Sequence, residues 1–167
     1  MSELRGERVL LRPLTDADVP QIAEIQAQPG VAERWGKPRL DDLRAKAAGT
    51  DDCTAFAIEH DGEVVGLIQY HEEANPMYRH AGIDLFLSEH VHGRGLGTDA
   101  VRTMATHLVR DRGHHRLVID PAADNTAAIR AYEKAGFRRV GIMRQYERLP
   151  GGEWHDGLLM DLLADEI

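Results

Sequence analysis

The run His92-Gly93-Arg94-Gly95-Leu96-Gly97-Thr98 stands between an apolar stretch, Gly82-Ile83-Asp84-Leu85-Phe86-Leu87, and a run of helical periodicity starting near Thr98. Glycines at the mouth of a helix let the backbone approach a ligand closely. The unpaired first-turn N–H groups and the helix dipole then favour an anion such as a phosphate. Asp84 is a carboxylate inside an otherwise apolar strand, too apolar for a simple solvent face. Asn125 and Tyr132 stand seven residues apart, so they share a helix face and lie roughly 10 Å apart along its axis. Ala128 falls between them on that face. An amide, a small residue and a phenol along one groove suit an extended polar ligand; a tyrosine packed at a core rim gives the same pattern.

Apolar periodicity supplies the elements that must hold these groups. Residues 8–12 read as a first strand. Thr15 and Asp18 resemble a capping box, and Val19, Ile22, Ala23 and Gln26 follow at helical spacing until Pro29-Gly30 interrupts. A weaker helix is predicted over residues 40–47, in a region suited to a substrate lid. Residues 54–59 and 63–70 are strands joined by the turn Asp61-Gly62, and residues 72–79 form a polar loop containing Asn75-Pro76. A strand over 80–87 leads into the glycine turn. Val101, Met104, Ala105, Leu108 and Val109 make a core-facing helix stripe that ends at Gly113. A short strand over 116–120 stops at Pro121. Asp124 or Asn125 caps a helix that runs to Ala135 and closes at Gly136. Residues 137–149 and 154–163 are long strands joined around Pro150-Gly151-Gly152. The expected fold is α/β (α+β): a mixed, mostly antiparallel sheet of about seven strands flanked by about four helices, in a single domain spanning residues 1–167.

A length of 167 residues with 43% hydrophobic and 29% charged positions describes a globular domain with a real core. No apolar run approaches bilayer length and no signal-peptide pattern opens the chain, so no membrane partner is expected and the expected compartment is the cytoplasm. The lone Cys53 excludes an internal disulfide and reads as a small core residue. A net charge of −8 argues against nucleic acid. It serves solubility or draws in a cationic substrate. Nine histidines, among them His90, His92, His114 and His115, form no convincing ligand set, so no metal is expected.

A Walker nucleotide loop fails because Gly97-Thr98 lacks the preceding lysine. Gly95-x-Gly97-x-x-Ala100 with Asp120 fits a dinucleotide fingerprint in part, but the preceding strand ends near Leu87, several residues early. A third reading rests on two motifs together. Positions 92–97 match the Gln/Arg-x-x-Gly-x-Gly/Ala cradle of the GNAT N-acetyltransferases except that His92 replaces Gln or Arg. The stretch Asp124-Asn125-Thr126-Ala127-Ala128-Ile129-Arg130-Ala131-Tyr132-Glu133-Lys134-Ala135-Gly136-Phe137 closely resembles that superfamily's Asn-x-x-Ala-x-x-x-Tyr-x-x-x-Gly-Phe element. The order of elements agrees over nearly the full length.

The resemblance implies acetyl transfer from acetyl-CoA to a primary amine. Residues 92–98, Asn125, Ala128, Tyr132 and Lys134 would then bind the cofactor. Backbone N–H groups of Leu85, Phe86 and Leu87 would donate to the thioester oxygen. A thiol of reference pKa about 8.5 and a phenol of about 10 make Tyr132 a plausible acid for the departing sulfur. Asp84 handles the amine: a carboxylate of about 4 facing an ammonium of about 9 leaves a gap of about 7 kcal/mol, which suits an anchor better than a direct base. Burial would narrow that gap. Glu72 and Glu73 are further candidates for cation binding, or solvated loop acids. The region from Gly82 to Thr98, with Asp120-Pro121 and residues 128–137, is similar to aminoglycoside 6'-N-acetyltransferases. Residues 141–147 and 154–160 look more like polyamine and ribosomal-protein N-terminal acetyltransferases. A regulatory module that binds acyl-CoA without turnover is a third reading. The expected partner is a small-molecule amine, and the terminal hairpin offers an interface for a homodimer.

Overall fold

Alternating apolar residues assemble eight strands into one sheet in the computed structural model, which describes residues 2–167. In chain order the strands are β1 (Leu4–Arg5), β2 (Leu10–Pro13), β3 (Thr54–His60), β4 (Glu63–Glu72), β5 (Ala81–Leu87), β6 (Arg116–Ile119), β7 (Arg138–Arg148) and β8 (Trp154–Leu163). The α-helices are α1 (Val19–Gln26), α2 (Pro29–Trp35), α3 (Leu40–Ala48), α4 (Leu96–Arg110) and α5 (Thr126–Lys134). The sheet order is β1-β2-β3-β4-β5-β6-β8-β7, antiparallel throughout except between β5 and β6. That one parallel pair requires a crossover, and α4 provides it.

Pairing between β5 and β6 is short. Ala81 faces Leu117 and Gly82 faces Val118. Beyond that point β6 keeps company with β8, Ile119 opposite Met160, and the Leu158 N–H donates to the Pro121 carbonyl at 2.9 Å. β5 meanwhile follows β4 as far as Leu87 opposite Gly66. The sheet therefore opens between the two strands at their C-terminal ends.

Each face of the sheet has its own core. Leu96, Ala100, Met104 and Leu108 of α4 bury against Ile68, Ile83 and Leu117. On the other face Ile22, Ile25, Val31 and Leu43 of the first three helices bury against Ala57, Leu67 and Phe86. The stripe expected on α4 is buried at Val101, Met104, Ala105 and Leu108, while Val109 packs at its margin.

Two elements exceed the sequence expectation. β1 has only two residues, too few to show a period. Pro29-Gly30 does end α1, but it also begins α2, with proline at an early position where its missing N–H costs nothing. The start of α2 is satisfied from afar: the Gly30 N–H donates to Glu89 Oε1 at 2.5 Å, and the Gln28 amide bridges the Ser88 hydroxyl and the Glu89 N–H at 3.1 and 2.8 Å. Among the described residues no helix is long and apolar enough to cross a membrane.

Asp18, the acid of the expected capping box, accepts from the Thr15 N–H at 2.9 Å and takes both guanidinium branches of Arg12 at 2.7 Å. The Arg12 hydrogen bonds hold its carboxyl below the usual carboxylate range. Asp18→Ala leaves a part-buried guanidinium without its fork and is expected to lower stability by about 3 kcal/mol in urea unfolding at neutral pH. A depressed carboxylate pKa contributes in full above the unfolded-state value and loses its contribution as pH falls through the folded-state one, so the gap between wild type and variant should close progressively below about 4.

Candidate active site

Side chains of β5 alternate between the two cores. Ile83, Leu85 and Leu87 turn to α4; Asp84 and Phe86 turn to the face covered by the first three helices. Trp35 at the end of α2 meets Phe86 edge-on, ring centroids 4.9 Å apart. Gln69 and His71 stand opposite Asp84 and Gly82 in register. A Cβ on Gly82 would collide with the His71 ring, so that glycine leaves the imidazole room beside the cavity. Lys46 of α3 reaches the Gln69 side-chain oxygen at 2.7 Å and Asp51 at 2.6 Å.

Where β5 and β6 part, a cavity of about 740 Å³ joins the two faces. Asp84 enters it from one side and Tyr132 of α5 from the other, and Asp120, Tyr146 and Glu147 complete its polar wall. The last two depend on an irregularity. β7 loses register with β8 between Met143 and Glu147, Gln145 takes φ +48°, and the Gln145 N–H donates to Asp156 Oδ1 at 2.8 Å. This bulge re-aims the strand so that the Tyr146 hydroxyl donates to Asp120 Oδ2 at 2.8 Å.

Burial raises the acids of this cavity, and neighbouring charge adds to it at Asp84 and Glu147. Burial, then the charge of Asp120, push the Asp84 carboxyl up to about 6; Glu147 adds to this, and His71 and Lys46 oppose it. Burial also raises Asp120, although its bond from Tyr146 opposes this. Burial and the charge of Asp120 raise Glu147. The Tyr146 phenol is pushed up to about 12, mainly by its bond to Asp120. Burial, with Asp84 and Asp120, moves the Tyr132 phenol above its ordinary value. Tyr132 therefore keeps its proton on Oη through the neutral range and serves as a donor rather than a base.

The glycine turn lies at the mouth of α4. Gly93 and Gly95 both take φ +78°, a conformation that favours glycine, and no side chain caps the helix at Gly95. The first-turn N–H groups are consequently free for an anion. Open space surrounds Gly93, and Gly97 rests on the Leu87 side chain. The His92 ring donates from Nε2 to the Leu87 carbonyl at 3.0 Å, tying the turn to the end of β5. Arg94 is exposed.

Backbone alternation refines the amide assignment. The Ser88 N–H donates to the Val65 carbonyl at 2.7 Å, so by period two the Phe86 N–H also points into the sheet. The Leu85 and Leu87 N–H groups point to the open side. Phe86 thus drops out of the expected donor set.

Other expected ligands serve local structure. Asn125 Oδ1 accepts from the Ala128 N–H at 3.3 Å as the cap of α5, and Ala128 is half-buried beneath it. Thr98 is buried and donates to the Ala131 carbonyl at 3.0 Å, which leaves only its N–H for a ligand. The Lys134 carbonyl accepts from Arg102 at 2.7 Å, and its exposed side chain stands at the far end of α5. Glu72 and Glu73 do not line the cavity. Glu72 takes Arg112 through two bonds of 2.9 Å and buried His114 at 2.6 Å, and these partners hold it down at about 2. Glu73 is exposed, with its N–H bonded to the His80 carbonyl. The carboxylates that do share the cavity with Asp84 are Asp120 and Glu147. Asp120 carries one usable sign, an acid at the end of a short strand before proline; the bulge that delivers Glu147 has none.

A family model described as an acetyltransferase (GNAT) domain matches residues 8–138. The chain belongs to the GNAT acetyltransferases. It is 31% identical to an aminoglycoside N(6')-acetyltransferase type 1 of Klebsiella pneumoniae over 158 residues, covering 83% of this chain and 78% of that one. Spermidine N(1)-acetyltransferase of Escherichia coli K12 is 26% identical over 91% of this chain and 84% of its own length. A solved structure of aminoglycoside acetyltransferase AAC(6')-Ib in complex with coenzyme A superimposes with a TM-score of 0.77 at 28% identity, covering 95% of this chain and 96% of that one. The fold matches the expected class, with eight strands and five α-helices among the described residues in place of about seven and about four.

This acetyltransferase uses acetyl-CoA, which supplies an activated acetyl group as a thioester. The chain's own residues fit that molecule: an uncapped helix start with open glycines for phosphates, free strand amides, and a phenol and a carboxylate sharing a cavity. We propose that Leu85 and Leu87 supply the amide donors, that Tyr132 Oη supplies the proton at the leaving sulfur, and that Asp84 handles the amine. With Asp84 at about 6, the gap to an ammonium of about 9 narrows to about 4 kcal/mol, within reach of relay through water. Three outcomes follow. In kcat/KM profiles activity should fall as pH drops through about 6, because the protonated carboxyl can neither anchor nor accept. Asp84→Asn should remove that limb together with most of the activity, whereas His71→Gln should leave the limb in place. Tyr132→Phe should lower kcat by about 10²-fold with little change in acetyl-CoA affinity; unchanged turnover would exclude Tyr132 from proton transfer.

Proposed function

We propose that this acetyltransferase transfers the acetyl group to a primary amine of a polycationic small molecule, the 6'-amine of an aminoglycoside. The observation that carries this reading is the gathering of Asp84, Asp120 and Glu147 in one cavity, each with its pKa raised. Carboxylates raised by burial, with Asp120 adding its charge against Asp84 and Glu147, lack sufficient countercharge, and ammonium groups would supply it. An aminoglycoside carries several such groups on a rigid frame. The likeness to AAC(6')-Ib, whose structures include a complex with coenzyme A and kanamycin at 28% identity, supports the same reading.

A specific observation favours a second acceptor. Arg34 and Arg148 also line the cavity, and Arg34 reaches Asp124 at 3.4 Å. A peptide N-terminus carrying carboxylates would match acids and guanidiniums together, whereas spermidine would leave the arginines unmatched.

Thiol release measured with acetyl-CoA against kanamycin, spermidine and Ser- or Ala-initiated acidic peptides decides between them. The highest kcat/KM is expected with kanamycin. Turnover of the peptide or spermidine alone would overturn the aminoglycoside assignment.

A further inference from the structure

The turn between β1 and β2 is held against the first turn of α4 by a single side chain. Asp99 is buried there, and its carboxylate accepts from the backbone N–H groups of Glu7, Arg8 and Val9 at 3.0, 2.8 and 3.0 Å. Gly6 permits the approach, since a Cβ on it would lie 2.6 Å from both Asp99 and Thr103. The Arg8 carbonyl accepts from the His60 ring at 2.9 Å, so the backbone of Arg8 is fixed through both its N–H and its oxygen.

This arrangement aims the Arg8 side chain at the glycine turn. A Cβ on Gly95 would lie 2.5 Å from Arg8 Nη2, which means the guanidinium occupies the space beside the helix N-cap. None of the ion pairs among the described residues involves Arg8. The nearby acid, Asp99, is turned to backbone amides. A cation parked at the positive end of a helix dipole without a partner is unfavourable until an anion joins it. Its planar fork and the free first-turn amides would then grip the same group.

We propose that the Arg8 guanidinium binds a phosphate of coenzyme A beside the α4 amides, with Asp99 as its positioning residue. The assignment rests on the cofactor site described above and extends it to a residue from the opposite end of the chain. Calorimetric titration of coenzyme A into wild type and Arg8→Ala provides the test, alongside kinetics with acetyl-CoA and with S-acetylpantetheine, which has no phosphate. Arg8→Ala should bind coenzyme A about 10-fold more weakly, the deficit should shrink with added salt, and the free protein should melt no lower than wild type does. The ratio of variant to wild-type kcat/KM should return to about one with S-acetylpantetheine, as charge-assisted phosphate binding requires. A deficit that persists with dephospho-coenzyme A identifies the diphosphate, and one that disappears identifies the 3'-phosphate; both support the proposal. Equal coenzyme A affinity in the two proteins, or an equal loss with S-acetylpantetheine, overturns the Arg8 assignment alone. A wild-type chain that binds no coenzyme A overturns the cofactor site as well.

Discussion

Ala81 with Leu117, and Gly82 with Val118, are the matched pairs that join β5 to β6. Past them β5 stays bonded to β4 and β6 to β8, so the two strands are drawn apart by their other neighbours. Parting frees strand amides that an intact sheet would consume, and it opens a passage between two otherwise separate cores. Asp84 belongs to one face and Tyr132 packs on the other, yet both reach the same cavity. Because the crossover helix α4 begins where β5 ends, its uncapped start lies by the same opening. The roles proposed for this site, in binding phosphates, polarising a carbonyl and handling two protons, thus all rest on one break in strand pairing.

Electrostatics sharpens this geometry. The cavity buries its acids and raises them, while Glu72, an exposed acid elsewhere, is saturated by Arg112 and His114 and held low. The contrast separates a carboxylate that builds the protein from one left short of countercharge. It also sets protonation roles near neutral pH: Asp84 titrates close to working conditions, and Tyr132 does not give up its proton without a strong acceptor.

Much of this was legible in the sequence. The α4 stripe, the Asp61-Gly62 hairpin, the Asn125 cap and the glycine turn each follow from local spacing, because a neighbour a few residues away satisfies them. What escaped depends on distant partners. α2 reads as a break at Pro29-Gly30 because Glu89, which satisfies its first turn, lies 59 residues on. Glu72 reads as a loop acid because Arg112 is 40 residues away. Glu147 and Tyr146 enter the cavity through a bulge at Gln145, a non-glycine residue at positive φ that no composition signal announces. Phe86 reads as a donor alongside Leu85 and Leu87, although alternation of the strand turns its N–H into the sheet.

The most direct measurement is a crystal structure of the acetyltransferase with coenzyme A bound. The account predicts the diphosphate on the amides of residues 93–98 and the sulfur in the opening between β5 and β6, bracketed by the Leu85 and Leu87 amides and the Tyr132 hydroxyl. A sulfur lodged outside that opening, or phosphates placed away from the start of α4, would contradict it.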